Sequence, residues 1–196
     1  MLTLQKFFLI SLILFIPQLS LAESWKIDPV HTAVEFKTRH LMISWVKGTF
    51  TGVQGTVVFD EAKPDKSSLS VQIATASVDT RNKKRDDHLR SADFFDVATY
   101  PVMTFAAKDF VVANGEPTQI NGELTLHGKT RAVTLELDEF SPAMADPRGN
   151  IRRGASASAT INRKDFGLTW NKALEAGGVV VGDEVRINLE VELIKE

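Results

Sequence analysis

Residues 185–193 read VRINLEVEL, and no other stretch of the chain states its conformation so plainly. Val185, Ile187, Leu189, Val191 and Leu193 point to one side of an extended backbone, and Arg186, Asn188, Glu190 and Glu192 to the other. That period-two alternation belongs to a strand with one dry face and one wet face. Working outward, the same pattern predicts strands at Ala33–Phe36, Thr49–Phe59, Leu69–Val78, Val102–Phe105, Gly122–Leu126, Val133–Leu137 and Ala155–Ile161. Turn signals separate them: Lys63-Pro64-Asp65, Asn114-Gly115-Glu116-Pro117, His127-Gly128, Asp146-Pro147-Arg148-Gly149-Asn150 and Gly177-Gly178. About eight short strands without alternating helices exclude a parallel α/β fold and leave an antiparallel sandwich or barrel. Ala155, Ala157 and Ala159 succeed one another on an inward face. Such small residues leave volume, which in a closed barrel is either a ligand cavity or space filled by larger side chains from the opposite wall.

One segment departs from this pattern. Asn82–Arg90 is dense in Lys, Arg, Asp and His with a single apolar Leu89, which predicts a short surface helix. Ser91 is placed to cap a second turn carrying Phe94 and Phe95 before the chain stops at Pro101. In an all-β protein those aromatics need either the core or the mouth of a barrel, with the charges rimming the opening.

The N-terminus has the form of a secretory leader. Lys6 precedes an apolar run from Phe7 to Ile16, followed by Pro17 and by Ser20-Leu21-Ala22, with small residues where a signal peptidase reads them. Cleavage is expected after Ala22, giving residues 1–22 as leader and 23–196 as one mature domain. A ten-residue run that is apolar but for Ser11, ended by a proline, falls short of the roughly 20 apolar residues that a spanning helix needs. Lipoprotein processing is excluded because it requires a cysteine, and the chain has none. Export also agrees with that absence, since a thiol-free chain cannot mispair in an oxidising compartment.

Without the leader, 22 basic residues face 25 acidic ones, a net charge of −3. That balance does not suggest nucleic acid or an anionic membrane as partner. The four histidines lie in four different segments without metal-ligand spacing, so no metal is expected. Asp165-Phe166-Gly167 matches a kinase tripeptide without any other kinase element. No serine elbow, cysteine nucleophile or phosphate loop is present, and Asp86-Asp87 sits in a solvated charge run.

Three separated motifs carry a family resemblance: SVDTRNKKRDDHLRSADFFDVATYP at 77–101, GELTLHGKTRAVTLE at 122–136 and INRKDFGL at 161–168. HLMISWVKGTF at 40–50 adds to them, and the likeness runs from Trp25 to the C-terminus. The chain resembles the YceI family of secreted bacterial proteins. That resemblance implies an all-β fold: a single antiparallel eight-stranded lipocalin-like barrel with one short helical segment near residues 82–96. It further implies export to the periplasm and a lumen that holds a long isoprenoid or similar lipid, with no other cofactor.

On that reading the apolar strand faces supply the lumen: Val34, Phe36, Phe50, Val57, Phe59, Val71, Ile73, Phe105, Leu124, Leu126, Leu135, Leu137, Ala157, Ile187 and Leu189. Phe94, Phe95, Phe166 and Trp170, in or beside irregular segments, are candidates for the mouth. Arg85, His88, Arg90, Arg152, Arg153 and Arg163 are candidates for a phosphate or quinone head group, each also placed to pair with nearby acids. The favoured function is a soluble carrier, without stable membrane insertion, that exchanges lipid with a membrane-protein donor or acceptor. Two other functions stand beside it: an isoprenoid-modifying enzyme using His88 with Asp86 or Asp87, and a filled barrel whose 85–101 segment docks a membrane protein.

Overall fold

The C-terminal strand closes the molecule. In the computed structural model, which describes residues 22–174 and 178–196, β12 (Val181–Lys195) pairs along its whole inner edge with β11 (Ile151–Asn162). Its other edge takes two partners in succession. β1 (Glu23–Ile27) pairs through Trp25↔Lys195 and Ile27↔Leu193, and β2 (Ala33–His40) through Val34↔Leu189 and Phe36↔Ile187. β1 and β2 are therefore one wall of a barrel, interrupted at residues 28–32.

The next two walls are interrupted in the same way. β3 (Ser44–Phe50) pairs with β2 and β4 (Val53–Phe59) with β1, while β5 (Ser68–Ala74) pairs with β4 and β6 (Val78–Asp79) with β3. The breaks lie side by side: the Ala74 N–H donates to the Gly52 carbonyl at 2.8 Å. A Cβ on Gly52 would sit 2.9 Å from the Ala74 Cβ, so a residue without a side chain is needed at this crossing. β7 (Val102–Ala113), β8 (Glu116–Leu126) and β9 (Lys129–Phe140) continue the meander from β5 to β11, and the two-residue β10 (Met144–Ala145) hangs on the start of β11. The result is an eight-walled antiparallel barrel in which neighbours are consecutive in sequence except at the closure, where β12 meets β1 and β2.

Each of the eight alternating stretches read from the sequence became one wall. The differences lie in extent. β1 and β3 were not anticipated, and β7, β8 and β9 run well past the alternation that announced them. Thr49–Phe59 and Leu69–Val78, read as continuous, are each broken, the second by a 3-10 turn at Thr75–Ser77. Asn114-Gly115 and His127-Gly128 form the expected tight turns, with positive φ at all four residues. Gly177, the leader through Leu21, and the structure of both lie outside the described residues.

The barrel has two ends. At the floor, where β1 starts and β12 ends, Arg152 binds the carboxylates of Asp28 (2.8 Å), Asp146 (2.8 Å) and Glu192, and His31 Nδ1 lies 2.8 Å from Asp28. Asp28, His31 and Glu192 have the mutual spacing of a metal cage, but the Arg152 guanidinium already occupies the gap between the carboxylates. Arg153, on the opposite strand face, turns inward. Its Cζ lies 5.4, 5.1 and 4.7 Å from the ring centres of Trp25, Phe59 and Phe140, and its Nη2 donates to Glu61 at 2.6 Å. Arg153 Nε and Nη1 have no oxygen partner and face rings instead, so π attraction is what offsets their burial. At the other end, α1 (Lys83–Arg90) is inserted between β6 and β7, and the described residues 163–174 and 178–180 lie between β11 and β12.

Candidate functional site: an apolar lumen with an aromatic mouth

The charge-dense helix is attached to the barrel by polar contacts, which explains its composition. Asn82 Oδ1 accepts the Arg85 N–H at 3.1 Å and caps α1. The buried Asp86 carboxylate accepts from the Thr80 N–H (2.9 Å) and hydroxyl (2.5 Å), and Arg85 donates to the Thr80 hydroxyl (2.7 Å) and carbonyl (2.9 Å). Arg90 reaches the Ala76 and Val78 carbonyls at 2.8 and 2.6 Å. Burial raises the Asp86 pKa, but the Thr80 hydrogen bonds and the charges of Arg90 and Arg85 outweigh it and leave the carboxyl below its ordinary value. α1 is thus a latch on β6. Ser91 caps the turn that carries Phe94 and Phe95, its hydroxyl oxygen accepting the Asp93 N–H at 3.3 Å and its carbonyl the Phe94 N–H at 3.1 Å. Its hydroxyl donates to the His88 carbonyl and closes α1, and the Phe95 N–H returns to the Leu89 carbonyl at 2.9 Å, which throws Phe94 and Phe95 over the barrel end.

Beneath this latch lies a cavity of about 400 Å³, within the size range of small-molecule sites. Val34, Phe36, Phe50, Val57, Phe59, Val71, Ile73, Phe105, Leu124, Leu126, Leu135, Leu137, Ala157, Ile187 and Leu189 all line it, as expected from their strand faces. So do Phe94, Phe95 and Trp170 at the mouth. Phe36, Phe50 and Phe95 form an aromatic chain with successive centroids 5.5 Å apart. Above them His88, Phe94 and Trp170 make a triangle with centroids 4.8 to 5.3 Å apart, the imidazole edge-on to both rings.

Phe166 sits elsewhere. It is buried in the 3-10 turn Arg163–Phe166 and lines an outer groove with Ala132, Thr134 and Thr160, where β9 and β11 have stopped pairing. Gly167, at φ 82, reverses the chain, so that Leu168 faces the lumen in its place. The sequence reading also missed Val53, Met103, Phe110, Ile120 and Phe140, which line the cavity. Phe110, Ile120 and Phe140 fall on the unexpected extensions of β7, β8 and β9; Ile120 keeps the phase of Leu124 and Leu126, whereas the register shifts between Ala107 and Asp109 and at Asp138 bring Phe110 and Phe140 inward out of phase with Phe105 and Leu137.

The six head-group candidates separate. Arg85, His88 and Arg163 line the cavity, whereas Arg90 belongs to the latch and Arg152 and Arg153 to the floor. Arg163 is almost wholly buried and donates to the carbonyls of Leu168, Trp170 (3.0 Å) and Gly182 (2.9 Å), so it clips Trp170 over the opening. Burial pulls its guanidinium below the ordinary value, opposed by the Asp183 carboxylate 3.2 Å away. His88 Nε2 is held by Asp93 at 2.8 Å, while Asp86 is turned toward Thr80; the two do not converge in the cavity.

A closed meander barrel with an apolar chamber, an aromatic mouth and a polar latch defines the lipocalin-like class of β-barrel. Within that class, the chain belongs to the YceI-like family, whose YceI-like domain matches residues 25–193. It is 41% identical over 164 residues to Protein YceI of Salmonella newport, covering 83% of this chain and 85% of that one. The crystal structure of BcnA from Burkholderia cenocepacia is similar with a TM-score of 0.72 at 26% identity, covering 85% of this chain and 98% of that chain. A polyisoprenoid binding domain from Saccharophagus degradans, implicated in plant cell wall breakdown, shares the fold with a TM-score of 0.63 at 18% identity, covering 89% of this chain and 99% of that chain.

Proposed function

We propose that this protein is a periplasmic carrier that shelters a long isoprenoid lipid, of quinone or prenyl phosphate type, in its barrel. The observation that carries the reading is the chamber of about 400 Å³ walled almost wholly by apolar side chains. Each buried CH₂ contributes about 0.8 kcal/mol, so several isoprene units exceed the roughly 4 to 15 kcal/mol that association costs. Such binding is tight and slow to release, as carriage requires. The name of the Saccharophagus degradans domain supports the ligand class. At the mouth, Arg85, His88 and Arg163, with Arg39 and His40 beside them on the cavity lining, are within reach of a polar head, and the lipid is exchanged with a membrane donor or acceptor. The N-terminal leader pattern supports periplasmic residence, with cleavage after Ala22.

Native mass spectrometry of protein purified from its own cell, followed by lipid extraction, tests the reading. The expected result is a mass above the apoprotein and an isoprenoid in the extract. Apoprotein alone, with no co-extracted isoprenoid, overturns it.

A further inference from the structure

At the mouth, the turn joining β2 to β3 is built against its own backbone. The Ile43 N–H donates to the His40 carbonyl, and both central residues are left-handed, Leu41 at φ 51 and Met42 at φ 60. This is the geometry that favours Asn-Gly, and the hairpins at Asn114-Gly115 and His127-Gly128 each place glycine in it. The β2–β3 turn instead carries Leu-Met-Ile. Met42 is 45% exposed and Ile43 79% exposed, and among the described residues they are the only strongly exposed large hydrophobics adjacent in sequence. Local folding gives no reason for them.

Just behind this tip lies a cationic collar. Trp45 projects outward from β3, and Arg39, Arg186 and Lys37 stand over its ring at 4.3, 5.0 and 5.6 Å. Lys47 is directly across from Lys37 in the strand register. Of the acids nearby, Glu184 pairs with Arg186 at 2.8 Å, Asp183 with Lys164 at 2.7 Å, and Glu136 accepts from Gln119, while Glu35 lies on the same face and Asp138 and Asp165 line the groove beside Lys37 and Arg186. Among the described residues Lys37, Arg39 and Lys47 form no ion pair, so their charge is available to a partner.

We infer that the β2–β3 tip docks the barrel on an anionic lipid bilayer. Two exposed aliphatic side chains enter the headgroup boundary, Trp45 lies at the interface, and the collar faces lipid phosphates. A bilayer fits better than a protein because the apolar tip is convex and two residues wide, far short of the roughly 1,000 Å² a specific protein interface needs. The tip belongs to the mouth end, so docking turns the opening toward the membrane. The inference deepens the carrier reading, resting on it for its purpose but not for its chemistry.

Flotation with vesicles of phosphatidylglycerol or of phosphatidylcholine tests it. The full mature protein floats with the anionic vesicles, and less at 1 M salt, where screening shrinks to about 3 Å. Lys37→Gln with Lys47→Gln lowers the partition coefficient about fivefold per cation removed. Met42→Asn with Ile43→Ser lowers it about tenfold or more while the melting temperature holds or rises, because asparagine suits the left-handed position. The same variants take up a polyprenol from detergent like wild type. Absence of flotation, or equal flotation of wild type and both variants, overturns docking. Failure of wild type to take up polyprenol from detergent sinks the carrier reading and leaves docking intact.

Discussion

The floor and the mouth of this barrel close by opposite chemistry. At the floor, charges face each other: Arg152 holds three carboxylates, and Arg153 is packed among three rings. At the mouth, Arg85 and Arg90 of α1 are engaged with the Thr80, Ala76 and Val78 carbonyls, and what covers the opening is aromatic. An ion network that satisfies itself has nothing left to offer a ligand and opposes movement. An aromatic cover held from behind by polar latches can rotate without leaving a buried charge unpaired. The floor is therefore the fixed end and the mouth the working end.

The sharpest way to test that contrast is to block the space between the ends. Ala157→Trp places an indole in the lumen and should abolish lipid uptake while the far-ultraviolet circular dichroism is unchanged; unchanged uptake would remove β11 from the chamber wall. Next in size is the floor. Arg153→Ala, which leaves a void among three rings and an unpaired Glu61, should cost about 3 kcal/mol in urea unfolding, whereas Arg153→Met should be near neutral because the box is apolar. If both cost the same, the aromatic box is not what holds that side chain.

A smaller effect is expected from acid. The hydrogen bonds from His31 and Arg152 hold Asp28 down at about 2, so the stability it contributes is present above the unfolded carboxylate value near 4 and is lost as pH falls toward about 2. Asp28→Asn should flatten the stability profile across that window; a profile as steep as wild type would place the acid sensitivity elsewhere. The smallest change in stability belongs to the mouth. Trp170→Ala should lower stability by only about 1 kcal/mol yet speed lipid release several-fold in a stopped-flow transfer assay, since it removes part of the cover and none of the wall.

Much of the scaffold was legible because each wall has one wet face. Where that condition fails, the reading failed too. In β3 the outward residue is Trp45 and an inward one is Gly48, whose missing side chain makes room for the Phe36 ring 2.5 Å from where a Cβ would stand, so the alternation is inverted. The arginines were beyond reach for a different reason. Arg152 and Arg153 are neighbours with opposite faces, one gripping carboxylates and the other rings, and no pattern of polarity separates them. Leu168, which carried no assignment, takes the lumen position expected of Phe166 because Gly167 turns the chain between them. The YceI likeness supplied the closed barrel that periodicity left open against a sandwich.

The pairing of β12 with both β1 and β2 sets an order of assembly. Trp25 meets Lys195, so the cylinder is sealed by the two most distant parts of the domain, and nothing shorter than the whole domain can seal it. Until the last fifteen residues arrive, two bare strand edges stay open to any passing chain, and contacts of this sequence separation form slowly. Newly made protein therefore spends its vulnerable interval as a curled, unfinished sheet, and a copy cut short ahead of β12 is an aggregation seed in place of a weaker barrel.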